Sequence, residues 1–261
     1  MTESEFESSW EPWRQFTAAR VGLRRSGGSI GTKDLLRFRL DHAKARDAVW
    51  GECDWPFLLE EIKNITKLVQ VKSRVQTKQE YLLRPDLGRK LDQDSERFLE
   101  QSPLIEDPSK ILICASDGLS ATALNQNLIP LLLLLCQELK SRFQFLPPVV
   151  LVERGRVAIG DEVASRLQKS VLIMLIGERP GLSSVDSLGA YLTFQPKPGY
   201  TDESRNCISN IRPEGMALPM AVKKIAYLVE EMLLKKISGV QLKDRMEASL
   251  EEKEIKKLNN L

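Results

Sequence analysis

The chain has a single histidine, His42, among 261 residues. That scarcity restricts catalysis, because any serine or cysteine triad would have to use it. His42 sits in the basic helical segment Arg39-Leu40-Asp41-His42-Ala43-Lys44, far from any strand end, which suits a surface or capping role better than that of a poised base. Cysteine is sparse too: Cys53, Cys114, Cys136 and Cys207 form no C-x-x-C pair and have no zinc spacing. Neither a G-x-G-x-x-G nor a G-x-x-x-x-G-K motif occurs, so nicotinamide, flavin and nucleoside triphosphate signatures are missing. The longest apolar run, Leu128 to Cys136, contains Pro130 and is too short to span a bilayer. The acidic, polar start Met1-Thr2-Glu3-Ser4-Glu5 is not a secretory signal. A reduced, cytoplasmic protein is expected. Net charge is +2 with the basic residues spread along the chain, which argues against a nucleic-acid footprint; the cluster Arg20, Arg24, Arg25 is a weak sign by itself.

What is present is a globular composition. The chain is 42% hydrophobic, ample for the core of one large or two small domains. Residues 1–100 read as a mostly helical region. Phe6, Trp10, Trp13 and Phe16 are spaced as in a short amphipathic helix, packed on its own domain or docked on another chain. Thr32 to Val49 reads as a helix with Thr32 as N-cap, and Phe57 to Leu68 as another. Val69, Val71 and Val75 have strand-like spacing. Arg84-Pro85-Asp86 reads as the start of a third helix, with proline in its first turn.

Residues 101–241 alternate strand and helix. Strands are expected at Ile111–Ala115, Val149–Val152, Val171–Ile176 and Ala190–Phe194. Helices are expected at Thr122–Phe143, broken or restarted near Pro130, and at Asp161–Leu167 and Met220–Lys236. Such alternation implies βαβ units and a largely parallel sheet, hence an α/β fold with helices on the sheet's faces, behind a helical N-terminal region. Residues 242–261 read as a charged tail, either solvated or in contact with another chain.

Open α/β sheets place ligands at the carboxyl ends of their strands. Ser116-Asp117-Gly118-Leu119-Ser120 leaves the first strand of this region and Gly177-Glu178-Arg179-Pro180-Gly181 leaves the third. Their carboxylates and hydroxyls suit a large ligand decorated with amides, or else Asp117 and Glu178 cap helices and satisfy turns. Arg205 and Arg212 flank Cys207 in sequence, a setting that would lower its pKa and favour thiolate.

These residues carry a specific resemblance. Tyr81-Leu82-Leu83-Arg84-Pro85-Asp86-Leu87-Gly88-Arg89, Ser116-Asp117-Gly118-Leu119-Ser120, Gly155-Arg156-Val157, Gly177-Glu178-Arg179-Pro180-Gly181-Leu182 and Asn206-Cys207-Ile208-Ser209-Asn210-Ile211 occur in this order. Together they resemble the small (light) subunit family of ethanolamine ammonia-lyase, over roughly Arg20 to Gly239. The resemblance implies a Rossmann-like domain that binds adenosylcobalamin where it meets a large barrel subunit. It implies radical deamination of ethanolamine to acetaldehyde and ammonia, with substrate and chemistry on the large subunit. It also implies a cytoplasmic location, inside or outside a bacterial microcompartment. Val157, Glu178 and Cys207 match the family's cobalamin contacts, with Arg156, Arg179, Ser120 and Asn210 as further candidates. No residue of this chain is expected to be catalytic or to ligate metal. This division fits a cofactor that carries the hard chemistry while the protein binds and orients it. The alternatives are a non-catalytic scaffold subunit and a stand-alone enzyme with Cys207 as nucleophile.

Some α/β cobalamin domains ligate cobalt through the histidine of D-x-H-x-x-G. Here Asp41 directly precedes His42 and Ala45 replaces the glycine. The bound cobalamin is therefore expected to keep its own dimethylbenzimidazole. Electron paramagnetic resonance of the Co(II) state in the assembled enzyme should show coupling to the benzimidazole nitrogen; coupling to a protein histidine would contradict the expectation.

Overall fold

The computed structural model describes residues 10, 12–17, 19–23 and 25–246. A small hairpin, β1 (Arg25–Ser26) and β2 (Ser29–Ile30), precedes helix α1 (Thr32–Trp50) and helix α2 (Trp55–Lys63). Then come β3 (Leu68–Lys72), α3 (Lys78–Leu83), a short 3₁₀ turn (Leu87–Arg89) and α4 (Gln93–Glu100). The remainder runs β4 (Ile111–Ser116), α5 (Ala121–Phe143), β5 (Val149–Glu153), α6 (Ile159–Arg166), β6 (Val171–Gly177), β7 (Leu188–Phe194), β8 (Asn206–Ile211) and α7 (Leu218–Lys235).

Six strands form one sheet in the order β3-β5-β4-β6-β7-β8. The first four are parallel, while β7 and β8 return antiparallel. Every residue of β4 and β6 is buried, which is why their sequences read as unbroken apolar runs. Strand parity divides the core. Ile111, Ile113, Val171, Ile173 and Leu175 face α2, α5 and α7 on one side. Leu112, Cys114, Leu172, Met174 and Ile176 face α4 and α6 on the other. The result is an α/β/α sandwich.

Several sequence expectations change here. Helix α2 stops at Lys63, and Leu68 belongs to β3, whose parallel pairing with β5 gives residues 1–100 a strand in the sheet. Pro85 does not open a helix. It follows the C-cap Arg84 of α3, because a proline disfavours helical conformation in the residue before it. Thr32 is the first helical residue rather than the cap, and Gly31 precedes it without a side-chain bond. Helix α5 runs unbroken through Pro130, which lies on an exposed face where the carbonyl it strands can reach water. Asn206–Ile211, which is not among the expected strands, forms β8. Trp10 lies against Gly22 yet is exposed, as are Trp13 and Phe16, and Phe6 lies outside the described residues. Leu242 and Met246 are buried rather than solvated, and the tail beyond Met246 is outside the described residues.

Helices α5 and α6 leave β4 and β5 toward opposite faces, so the exits of these strands diverge and open a crevice at the carboxyl edge. The exits of β4 and β6 converge instead. Gly118 has φ +55°, and a Cβ there would stand 2.3 Å from the Gly177 carbonyl oxygen. A Cβ on Gly177 would stand 2.2 Å from the Ser120 carbonyl oxygen. The Leu119 N–H donates to the Gly177 carbonyl at 3.0 Å. Ser120 caps α5 by accepting from the Ala123 N–H at 3.1 Å, and its hydroxyl donates to the Val185 carbonyl at 2.7 Å. Substituting Gly118→Ala imposes an unfavourable backbone conformation and drives a methyl into the β6 backbone, and should cost about 3 kcal/mol. Thermal unfolding of the purified chain measures this, and an unchanged midpoint would refute it.

Candidate functional site

The exits of β4, β5 and β6 surround a cavity of ≈ 460 Å³. Leu119, Val157 and Ile176 give it apolar walls, and Tyr81 and Tyr191 give it aromatic ones. Tyr81 is buried, and its hydroxyl donates to the Gly155 carbonyl at 3.0 Å. Burial pushes this phenol well above its ordinary pKa. The Arg156 guanidinium lies 4.1 Å from the Tyr81 ring centre and donates through Nη2 to the Tyr81 carbonyl at 2.8 Å. Its Nε is buried with no partner among the described residues. The adjacent Val157 turns its side chain to the cavity and packs against the α6-side core.

Glu178 is the one carboxylate in the cavity wall. Its backbone N–H donates to the Ser187 carbonyl at 2.9 Å. Its Oε2 accepts both from the Ser187 hydroxyl and from the Asn210 N–H, the latter at 3.1 Å. Its Oε1 accepts no hydrogen bond from the described residues. The register of β7 and β8 explains the arrangement. Leu188 pairs with Ile211 and Ala190 with Ile208, so Ser209 and Asn210 together oppose Gly189. This is a β-bulge, and Asn210 takes a left-handed φ of 58°. The bulge releases the Asn210 N–H from the ladder and aims it at Glu178. Gly189 provides the space: a Cβ there would stand 2.9 Å from Glu178 Oε1 and 3.2 Å from Tyr191 Cε2.

Cys207 lies opposite Tyr191 on β8, one strand beyond the cavity wall, and is not part of its lining. The residue is exposed, but its sulfur is drawn against Tyr191. The arginines flanking it in sequence do not reach it. Arg205 turns into the fold and meets Asp161 at 2.7 Å; Arg212 bonds Asn210 Oδ1 at 3.0 Å and sits 3.4 Å from Asp186. Partial burial raises the Cys207 thiol pKa; the Tyr191 hydroxyl pulls it down, and the Glu178 and Asp202 carboxylates push it further up. The lowered pKa expected from sequence is therefore wrong, because sequence neighbours on an edge strand point to different places.

A family model for the ethanolamine ammonia-lyase light chain matches residues 7–243. The chain belongs to that family. It is 40% identical over 262 residues to the ethanolamine ammonia-lyase small subunit of Pseudomonas aeruginosa (strain UCBPP-PA14), covering 100% of this chain and 96% of that protein. It is 45% identical over 233 residues to the small subunits of Rhodopseudomonas palustris (strain BisA53) and Bradyrhizobium diazoefficiens, in each case over 88% of both chains.

Within this light-chain fold, Val157, Glu178, Arg156 and the exposed Arg179 share one cavity. Ser120 is a buried helix cap, and Asn210 acts through its backbone on Glu178. Asp117 is a buried tie: it accepts from the Arg154 N–H at 2.8 Å and lies 3.8 Å from Lys78. His42 is exposed on α1, with its ring 6.1 Å from that of Phe38. Sequence reasoning missed Tyr81, Leu119, Ile176 and Tyr191 as wall residues. Tyr81 stood in a quoted motif, but nothing local marks an aromatic as wall rather than core. No group of three or more His, Cys, Asp or Glu among the described residues is arranged to hold a metal ion, and no helix among them is long and apolar enough to cross a membrane.

The Cys207 environment predicts a pH profile. Cys114 and Cys136 are buried, so Cys207 should alkylate with iodoacetamide ahead of them. The midpoint of its rate against pH should lie above that of a free thiol, since the thiolate is the reacting form. A midpoint below the free-thiol value, read by peptide mass spectrometry, would contradict the geometry.

Proposed function

We propose that this chain is the small subunit of an adenosylcobalamin-dependent ethanolamine ammonia-lyase, and that the cavity at the β4, β5 and β6 exits forms its share of a corrinoid cradle against a large subunit. The observation that carries the reading is the state of Glu178. One carboxylate oxygen is fixed by two donors, and the other is left to accept from a ligand. A corrinoid is rimmed with primary amides, which are N–H donors, and its ring edge is apolar. The residues present fit that chemistry: an oriented acceptor, the Val157 and Ile176 side chains, and two tyrosine rings. A cavity of ≈ 460 Å³ accommodates part of such a molecule, which leaves the rest to a partner.

When bound, the cofactor supplies the radical chemistry that deaminates ethanolamine to acetaldehyde and ammonia. This chain's residues bind and orient. Glu178 accepts hydrogen bonds from amide N–H groups, Val157 and Ile176 exclude water from the ring edge, and Arg156 stays ordered by its stack on Tyr81. Cys207 contributes at the outer margin, through Tyr191, as a neutral thiol. Contact with the large subunit is supported by helix α1, which exposes Leu36, Phe38, Leu40 and Trp50 to solvent. The amide-matched cavity favours cofactor binding over a purely scaffolding role.

Co-expression with a candidate large subunit should give a complex that turns ethanolamine into acetaldehyde only with added adenosylcobalamin. Substituting Glu178→Gln in that complex should weaken cobalamin binding about tenfold, the scale of one hydrogen bond to a charged acceptor. Unchanged affinity, measured by equilibrium dialysis, would favour the scaffold role.

A further inference from the structure

Glu178 takes its two donors from different segments. The Ser187 hydroxyl comes from the residue before β7 and the Asn210 N–H from the bulge of β8, and both end on Oε2. The β7–β8 ladder stops short of Ser187. Its last pair is Leu188 with Ile211, so Arg212 stands where the strand partner of Ser187 would be. The Arg212 N–H donates instead to the Met216 carbonyl at 3.2 Å.

The side chain of Arg212 spans the place that the ladder leaves open. Its Nε donates to Asn210 Oδ1 at 3.0 Å, and its Nη1 reaches Asp186 Oδ1 at 3.4 Å. Only 11% of the arginine side chain and 18% of that of Asp186 are exposed. Asp186 adjoins Ser187 and is held from its other side, because its carbonyl accepts from Asn127 Nδ2 on α5 at 2.7 Å. Asn210 has the left-handed φ of 58° that the bulge requires, and its carbonyl accepts from the Met216 N–H at 2.7 Å. Glu214 also lies 3.5 Å from Nη1, but it is largely exposed and adds little. One guanidinium thus bonds to both segments that supply donors to Glu178. Its planar fork suits that task, since an ammonium is a single point of charge. Arg212 itself is not part of the cavity lining.

We propose that Arg212 is a positioning residue for the cavity. It acts through Asn210 and Asp186 to keep both donors on one oxygen of Glu178, so that the other oxygen faces the ligand. The proposal rests on the cobalamin reading above. Arg212 contributes to affinity without touching the ligand, and its whole contribution passes through one carboxylate.

The test is a double-mutant cycle in the complex with a large subunit, read as cyanocobalamin affinity by equilibrium dialysis. Arg212→Met should weaken binding about fivefold, the scale of one hydrogen bond. In a Glu178→Gln background the same change should cost less than about twofold, because the acceptor it serves is already lost. Arg212→Lys keeps the charge without the fork and should fall between Arg212→Met and the unchanged complex. Equal losses in both backgrounds would mark a merely structural role and overturn the assignment. So would no loss with Arg212→Met, or full affinity with Arg212→Lys. Where Arg212→Met fails to assemble, Asp186→Ala cuts the same link and takes its place in the cycle with the same expectation. Glu178→Gln alone keeps the two ideas apart. If it leaves affinity unchanged, the cradle reading falls and the role of Arg212 with it; if it weakens binding while Arg212→Met does not, only the role of Arg212 falls.

Discussion

Gly118 and Gly177 bring two strand exits into backbone contact, with the Leu119 N–H on the Gly177 carbonyl at 3.0 Å. No side chain fits at either position, since a Cβ would stand 2.3 Å or 2.2 Å from a carbonyl oxygen. The closeness fixes where Glu178 leaves the sheet. It also fixes the direction in which α5 departs, because Ser120 caps that helix from the same turn. Leu119, Ile176 and Glu178 then share one wall. The cavity is a consequence of two loops that cannot separate.

A second constraint is electrostatic. The fold neutralises most of its charge near the carboxyl edge of the sheet. Asp117 is tied to the Arg154 N–H and to Lys78, and Arg205 and Asp161 form a pair whose side chains are 2% and 1% exposed. Removing one member of such a buried pair typically costs about 3–5 kcal/mol, because the other is left charged in a poor solvent. That pair anchors the loop before β8 onto α6. With these groups satisfied internally, the charged groups left facing the cavity are Glu178, Arg156 and Arg179. Binding chemistry concentrates where the fold has not already used it.

The bulge in β8 links the two constraints. An extra residue opposite Gly189 frees one backbone N–H, and that N–H holds Glu178. A regular strand would have returned the N–H to the ladder and left the carboxylate with the Ser187 hydroxyl alone. Irregularity at a sheet edge here orients a single acceptor.

Much of the fold was legible in the sequence. The runs at Ile111–Ala115 and Val171–Ile176 are strands because a residue buried on both faces of a sheet must be apolar whichever way it points. The ordered motifs named the family. Of the three matched positions, Val157 and Glu178 line one cavity and Cys207 does not. Strand β8 was not legible, because its bulge spaces Ile208 and Ile211 three apart and destroys the alternation that marks a strand. Nor could sequence say where Arg205 and Arg212 point. Proximity along the chain suggested an activated Cys207, whereas through space each arginine has another acid and the thiol faces carboxylates. Local periodicity follows from residue order and is determined by the sequence alone. Charge pairing and the aim of one carboxylate oxygen depend on distances between segments remote in the chain, and only the tertiary structure sets those.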